Sequence, residues 1–249
     1  MSGHSKWKQI KRQKGVTDIK RGQAFTKLAN AITVAVRQGG GVSDPAINFR
    51  LRLMIEKARG INMPKENIER AIVRASGKQA NEMESVIYEA FAFGGIGIII
   101  EATTDNKMRT GPEIKNIIEK NGGTMANQGT VLYRFDQKGL ITAENDKSSL
   151  DDLFLIAADA GAEDIEELSG EVLIYTKPDE LGKIRDNLSN KIKITDSELT
   201  RRPNITVQIT DMETAQKLFF FIEKIEALDD VQKVYANFDI LDEIMKTLG

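Results

Sequence analysis

No cysteine occurs in the chain, and histidine and tryptophan occur once each, as His4 and Trp7. The missing cysteine removes thiol nucleophiles, thiolate metal sites and disulfides together. A single histidine near the start of the chain is poorly placed to be a preorganised general base, and histidine metal sites need several ligands. Long apolar runs are missing as well. The longest, Ile96-Gly97-Ile98-Ile99-Ile100, stops at Glu101, far short of the roughly 20 residues that span a bilayer. The lysines and arginines at the start are not followed by an apolar stretch, so no signal peptide is expected. These absences predict a cytoplasmic protein with no metal, no cofactor and no membrane partner, taken as a monomer.

Positive and negative charge are nearly balanced over the 249 residues, at 35 Lys+Arg against 37 Asp+Glu, but they are unevenly placed. Residues 1–78 hold 17 basic and 5 acidic side chains, a net charge of +12, and the remainder carries −14. A basic block on an acidic body is the electrostatic footprint of a polyanion binder. The densest part is the arm. His4, Lys6, Trp7, Lys8, Lys11, Arg12, Lys14, Lys20, Arg21 and Lys27 are the candidate nucleic-acid-binding residues, opposed only by Asp18. Trp7 is flanked by Lys6, Lys8 and Gln9 rather than by apolar neighbours. Its ring can stack on an exposed base, or it can anchor the arm on the helices that follow.

Periodicity divides the chain. Phe25, Leu28, Ala29, Ile32 and Val36 form one helical face, ended by Gly39-Gly40-Gly41. Asp44-Pro45 reads as the cap and first position of a second helix, with Leu51, Met54, Ile55 and Ala58 inside. Pro64 opens a third, with Ile68, Ile72 and Ala75 inside and Glu66/Arg70 as an i,i+4 pair. Strands are expected at 86–93 and 96–103 around Gly94-Gly95, a helix at 112–120 and a strand at 130–135. Residues 139–200 give the order βαββαβ, the pattern of a ferredoxin-like unit. A strand, a helix and a strand close the chain and are too small to fold alone.

The fold class is therefore α+β, in three domains. Residues 1–78 form a basic arm and a three-helix domain; 79–137 plus 203–249 form a discontinuous α/β domain; 138–202 form an inserted ferredoxin-like domain. No arrangement of chemistry-bearing residues stands out. Gly94-Gly95-Ile96-Gly97 lies between strands and lacks a P-loop Lys-Ser/Thr. The acidic run Glu163-Asp164…Glu166-Glu167 reads as a solvated face. The ferredoxin-like unit offers only Tyr175 on its central strands, too little for an RNA-recognition motif.

The stretch Met-Ser-Gly-His-Ser-Lys-Trp at 1–7 with Ile10-Lys11 resembles the start of the YebC family. The likeness continues through Phe25-Thr26-Lys27-Leu28, the run Asn62-Met63-Pro64-Lys65-Glu66-Asn67-Ile68-Glu69-Arg70-Ala71-Ile72, Thr104-Asp105-Asn106…Arg109-Thr110 and Gly122-Gly123. Phe93 departs from it, standing where the family usually has proline. The resemblance implies a helical domain followed by two α/β domains, and a non-enzymatic regulator of gene expression. Bacterial members are named as DNA-binding transcriptional regulators, and mitochondrial members as translational activators of cytochrome oxidase subunit I. Others act on the ribosome at difficult stretches such as consecutive prolines. The expected function is a DNA-binding transcriptional regulator, with a ribosome-bound translation factor as the alternative and an enzyme the weakest reading. The expected partner is DNA or ribosomal RNA, and in the second case the ribosome.

Overall fold

The computed structural model describes residues 18–76, 83–145, 150–168, 170–241 and 243–244. Among the described residues three helices come first: α1 (Asp18–Gln38), α2 (Phe49–Gly60) and α3 (Lys65–Ser76). Ile32, Val36, Leu51, Ile55, Ala58, Met63, Ile68, Ala71 and Ala75 form their common core. The expected stripes are present, with Phe25, Leu28, Ala29, Met54 and Ile72 at the margin. The start of α2 differs. Asp44 holds only a turn, accepting from Ala46 N–H, and the cap is Asn48. Its buried side chain accepts from Leu51 N–H at 3.1 Å and donates to the carbonyls of Ala35 and Val42. One amide thus satisfies three backbone groups, which outweighs the signal of Pro45. The i,i+4 ion pair on α3 is Lys65–Glu69 at 3.5 Å.

Strands β1 (Glu84–Ala92), β2 (Ile96–Thr104) and β3 (Gly123–Ala126) follow, with α4 (Lys107–Lys120) between the last two. After the inserted unit come β8 (Val207–Ile209), α7 (Met212–Glu226), β9 (Val231–Ala236) and β10 (Phe238–Ile240). The sheet order is β3-β1-β2-β9, antiparallel throughout, while β10 pairs with β8 in a separate parallel ladder. Ile96, Ile98 and Ile100 of β2 share a core with Ile114 and Ile118 of α4 and with Leu218, Phe221, Ile222 and Ile225 of α7. The late segment therefore completes a sheet begun more than a hundred residues earlier.

Three local features depart from expectation. Helix α4 begins at Lys107 rather than Pro112, because Asn106 accepts from the N–H groups of Met108 and Arg109. Residues 130–134 are a turn and a 3-10 segment, not a strand. There the buried Glu89 carboxylate draws in the backbone, accepting from Gly129, Val131 and Leu132 N–H at 2.5, 2.5 and 2.9 Å. In the β1–β2 turn Phe93 has φ +40°, which a proline ring cannot adopt. The Phe93 ring packs edge-on against Phe221, with centroids 5.6 Å apart.

Residues Phe135–Asn204 form a separate compact unit. It contains β4 (Phe135–Glu144), α5 (Leu150–Ala160), β5 (Asp164–Leu168), β6 (Glu171–Thr176), α6 (Leu181–Leu188) and β7 (Ile194–Pro203). Its sheet order, β5-β6-β4-β7 with all pairs antiparallel, is the ferredoxin-like arrangement. Arg201-Arg202-Pro203, which reads as a boundary, is the last part of a strand. Arg202 lies over the Tyr175 ring, 4.2 Å from its centroid, and pairs with Asp164 and Glu166.

Candidate nucleic-acid interface

His4, Lys6, Trp7, Lys8, Lys11, Arg12 and Lys14 lie outside the described residues. Lys20 lies in the first turn of α1, followed by the exposed Arg21. Lys27 is half-buried, and its Nζ donates to the carbonyl of Glu226 at 2.5 Å. That carbonyl ends α7, where a cation complements the helix dipole. Lys27 thus ties the helical region to α7. Arg37 likewise donates to the Met83 carbonyl.

Other arginines of the helical region point outward. Arg50 and Arg59 of α2 and Arg70 of α3 are exposed. Arg50 donates to Gln38 Oε1 at 2.6 Å, and Arg52 lies 5.1 Å from the centre of the Phe49 ring. Arg59 and Arg70 have no carboxylate partner among the described residues. Their spacing follows from the helix period: Leu51, Leu53, Ile55 and Ala58 take the inner face of α2 and leave the cations outside.

A groove lies between α1 and α3, with a volume of about 240 Å³. Phe25, Ala29, Met63 and Ala71 supply its apolar lining, and Thr26, Asn67, Arg70 and Arg74 its polar lining. Arg74 is held in place: Nη2 donates to Asn30 Oδ1 at 2.7 Å and to Thr33 Oγ1 at 3.1 Å. Its Nη1 has no protein partner among the described residues, nor has the Asn67 amide. The Phe25–Leu28 and Asn62–Ile72 stretches, far apart in sequence, meet in this groove. Sequence reasoning about the basic arm did not single out these groove residues. The signal was the coincidence of a half-apolar α1 face with the polar start of α3.

The Thr104–Thr110 stretch serves a different purpose. Asp230, before β9, accepts from Arg109 at 2.8 Å and from Thr110 Oγ1 at 2.5 Å, and Thr110 reaches Thr104 Oγ1 at 2.7 Å. Burial pushes the Asp230 carboxyl up, but the bonds from Thr110 and Arg109 outweigh it, and its pKa lies below the ordinary Asp value. The network fastens the start of α4 to the loop before β9. Among the described residues no group of His, Asp and Glu could hold a metal ion, and no helix is long and apolar enough to cross a membrane.

A basic helical region is thus followed along the chain by two α/β units. Residues 5–78 match the TACO1/YebC protein N-terminal domain, and residues 83–238 match the TACO1/YebC second and third domain. The chain belongs to the TACO1/YebC family. It is 48% identical over 251 residues to a probable transcriptional regulatory protein of Sulfurihydrogenibium sp., covering 100% of this chain and 99% of the relative. It is 46% identical to one of Persephonella marina over the full length of both. A crystal structure of a conserved hypothetical protein from Aquifex aeolicus superposes with a TM-score of 0.82 at 42% identity, covering 90% of this chain and 92% of that one.

Proposed function

We propose that this protein is a non-enzymatic, nucleic-acid-binding regulator of gene expression, and that residues 1–78 are the domain that meets the nucleic acid. The observation that carries this is the charge division: +12 on residues 1–78 against −14 on the rest. Outward arginines on α2 and α3 without carboxylate partners add to it, and the names borne by full-length relatives support a regulator. The first reading is a transcriptional regulator bound to DNA in the cytoplasm. The second is a translation factor bound to ribosomal RNA, and one feature favours it. The exposed face of α3 carries Glu66 and Glu69 beside Arg70, and a helix entering the major groove would bring those carboxylates toward phosphates.

The test is binding of the full chain to duplex DNA and to structured RNA across a salt series, with ribosome co-sedimentation alongside. Each phosphate contact on duplex DNA should contribute roughly −0.9 to the slope of log K against log salt. Replacing Lys11, Arg12 and Lys14 together by Gln should flatten the slope. Unchanged affinity and slope would exclude the arm as a contact. Tight DNA binding with no ribosome pelleting would select the first reading, and the reverse the second.

A further inference from the structure

We propose that the α1–α3 groove is a receptor for one unpaired nucleobase, with its flanking phosphate on Arg70. This rests on the nucleic-acid reading above and names the part of the ligand that the groove takes. Its size is the first argument. About 240 Å³ falls below the roughly 300–1,000 Å³ of drug-sized ligand sites, which suits a single planar ring system. Its lining is the second. The Phe25 ring and the Met63 and Ala71 side chains offer an apolar surface, while the Asn67 amide presents an acceptor and donors with no partner among the described residues. A base edge matches that amide, and a base face matches the ring. Charge is the third. Arg70 is exposed and unpaired among the described residues, and Arg74 is fixed by Asn30 and Thr33 with Nη1 left over. A wholly apolar peptide side chain would leave these groups unmatched. A base in a duplex is stacked on both faces and cannot enter, so the ligand is a single strand, loop or end.

The experiment uses the full chain and two single-stranded oligonucleotides of equal length and charge, an oligoadenylate and the same sugar-phosphate strand without bases. The wild type should bind the base-bearing strand roughly five- to a hundredfold more tightly, the range expected for stacking a base on an aromatic ring. Phe25→Leu keeps the apolar volume but removes the ring face, and Asn67→Ala removes the amide at a half-buried position. Each should shrink the ratio, with folding checked by melting temperature. Arg70→Gln should weaken both strands alike. If Phe25→Leu fails to fold, Asn67→Ala and Arg70→Gln decide. A ratio near one in the wild type, or one that survives Phe25→Leu and Asn67→Ala, overturns the proposal while duplex binding leaves the broader reading standing. Absence of binding to strands and duplex alike would overturn both.

Discussion

Glu89 shows how one buried charge can set local structure. Its neighbours along β1 are apolar or half-buried, yet it is 2% exposed and collects three backbone N–H groups from the 129–132 turn. Glu89→Ala would leave those donors without an acceptor, and the Val131 N–H is fully enclosed. The expected loss is about 3 kcal/mol in chemical denaturation. Glu89→Gln keeps one acceptor oxygen and should recover part of it. Asp230 gives a pH-dependent case. Its native pKa is depressed, so its stabilising contribution is complete above the unfolded value of about 3.9 and is lost as pH falls through the native one. The stability gap between wild type and Asp230→Asn should therefore be constant near neutrality and close in acid. A gap that widens on acidification would contradict the assignment. Neither role was legible in the sequence. An isolated Glu within a strand and an Asp in a loop acquire their meaning from partners forty and more than a hundred residues away.

Elements were more legible than their ends. The stripe Leu218, Phe221, Ile222, Ile225 is the buried face of α7, because the 3.6-residue period survives any tertiary context. Boundaries failed where a side chain outbid a stronger-looking signal, as Asn48 did over Asp44-Pro45 and Asn106 over Pro112. Asn48→Ala should then do more than remove a cap. It would unsatisfy Leu51 N–H and the Val42 carbonyl and take one of two donors from the Ala35 carbonyl, which keeps Gly39 N–H, and the expected cost is roughly 2–3 kcal/mol against about 1 for a typical exposed cap. Equal losses for Asn48→Ala and Asn106→Ala would show that the buried bonds add nothing. Of the candidate interface, the cationic arm was visible because charge is additive along a chain. The groove was not, since Phe25 and Asn67 meet only when α3 packs on α1.

For the whole molecule, the informative contact is Phe135 beside Pro203, the first and last paired positions of the inserted unit. Both ends leave from neighbouring strands, so excising the unit should leave a gap that a short linker can span. Joining Arg134 to Ile205 through a few glycines should leave a folded host with its helix and strand content intact by circular dichroism. An unfolded product would mean that the host depends on the insertion for its core. The three-domain division proposed from sequence stands or falls with that result.

The pairing of β2 with β9 brings residues 98 and 236 together, and this sets an order of events during synthesis. The central sheet cannot close until the end of the chain has been made. The shared core of helices α1–α3 is built from local and mid-range contacts, as is the ferredoxin-like unit, and both can form earlier, the Lys27–Glu226 tie being added later. For the intact chain, closing β2 on β9 costs the entropy of a long loop, reduced once the insertion has folded and drawn its own ends together. The insertion thus acts as a spacer that shortens itself. Until then, β2 offers an unpaired isoleucine-rich edge, and the newborn protein is most exposed to aggregation in that interval.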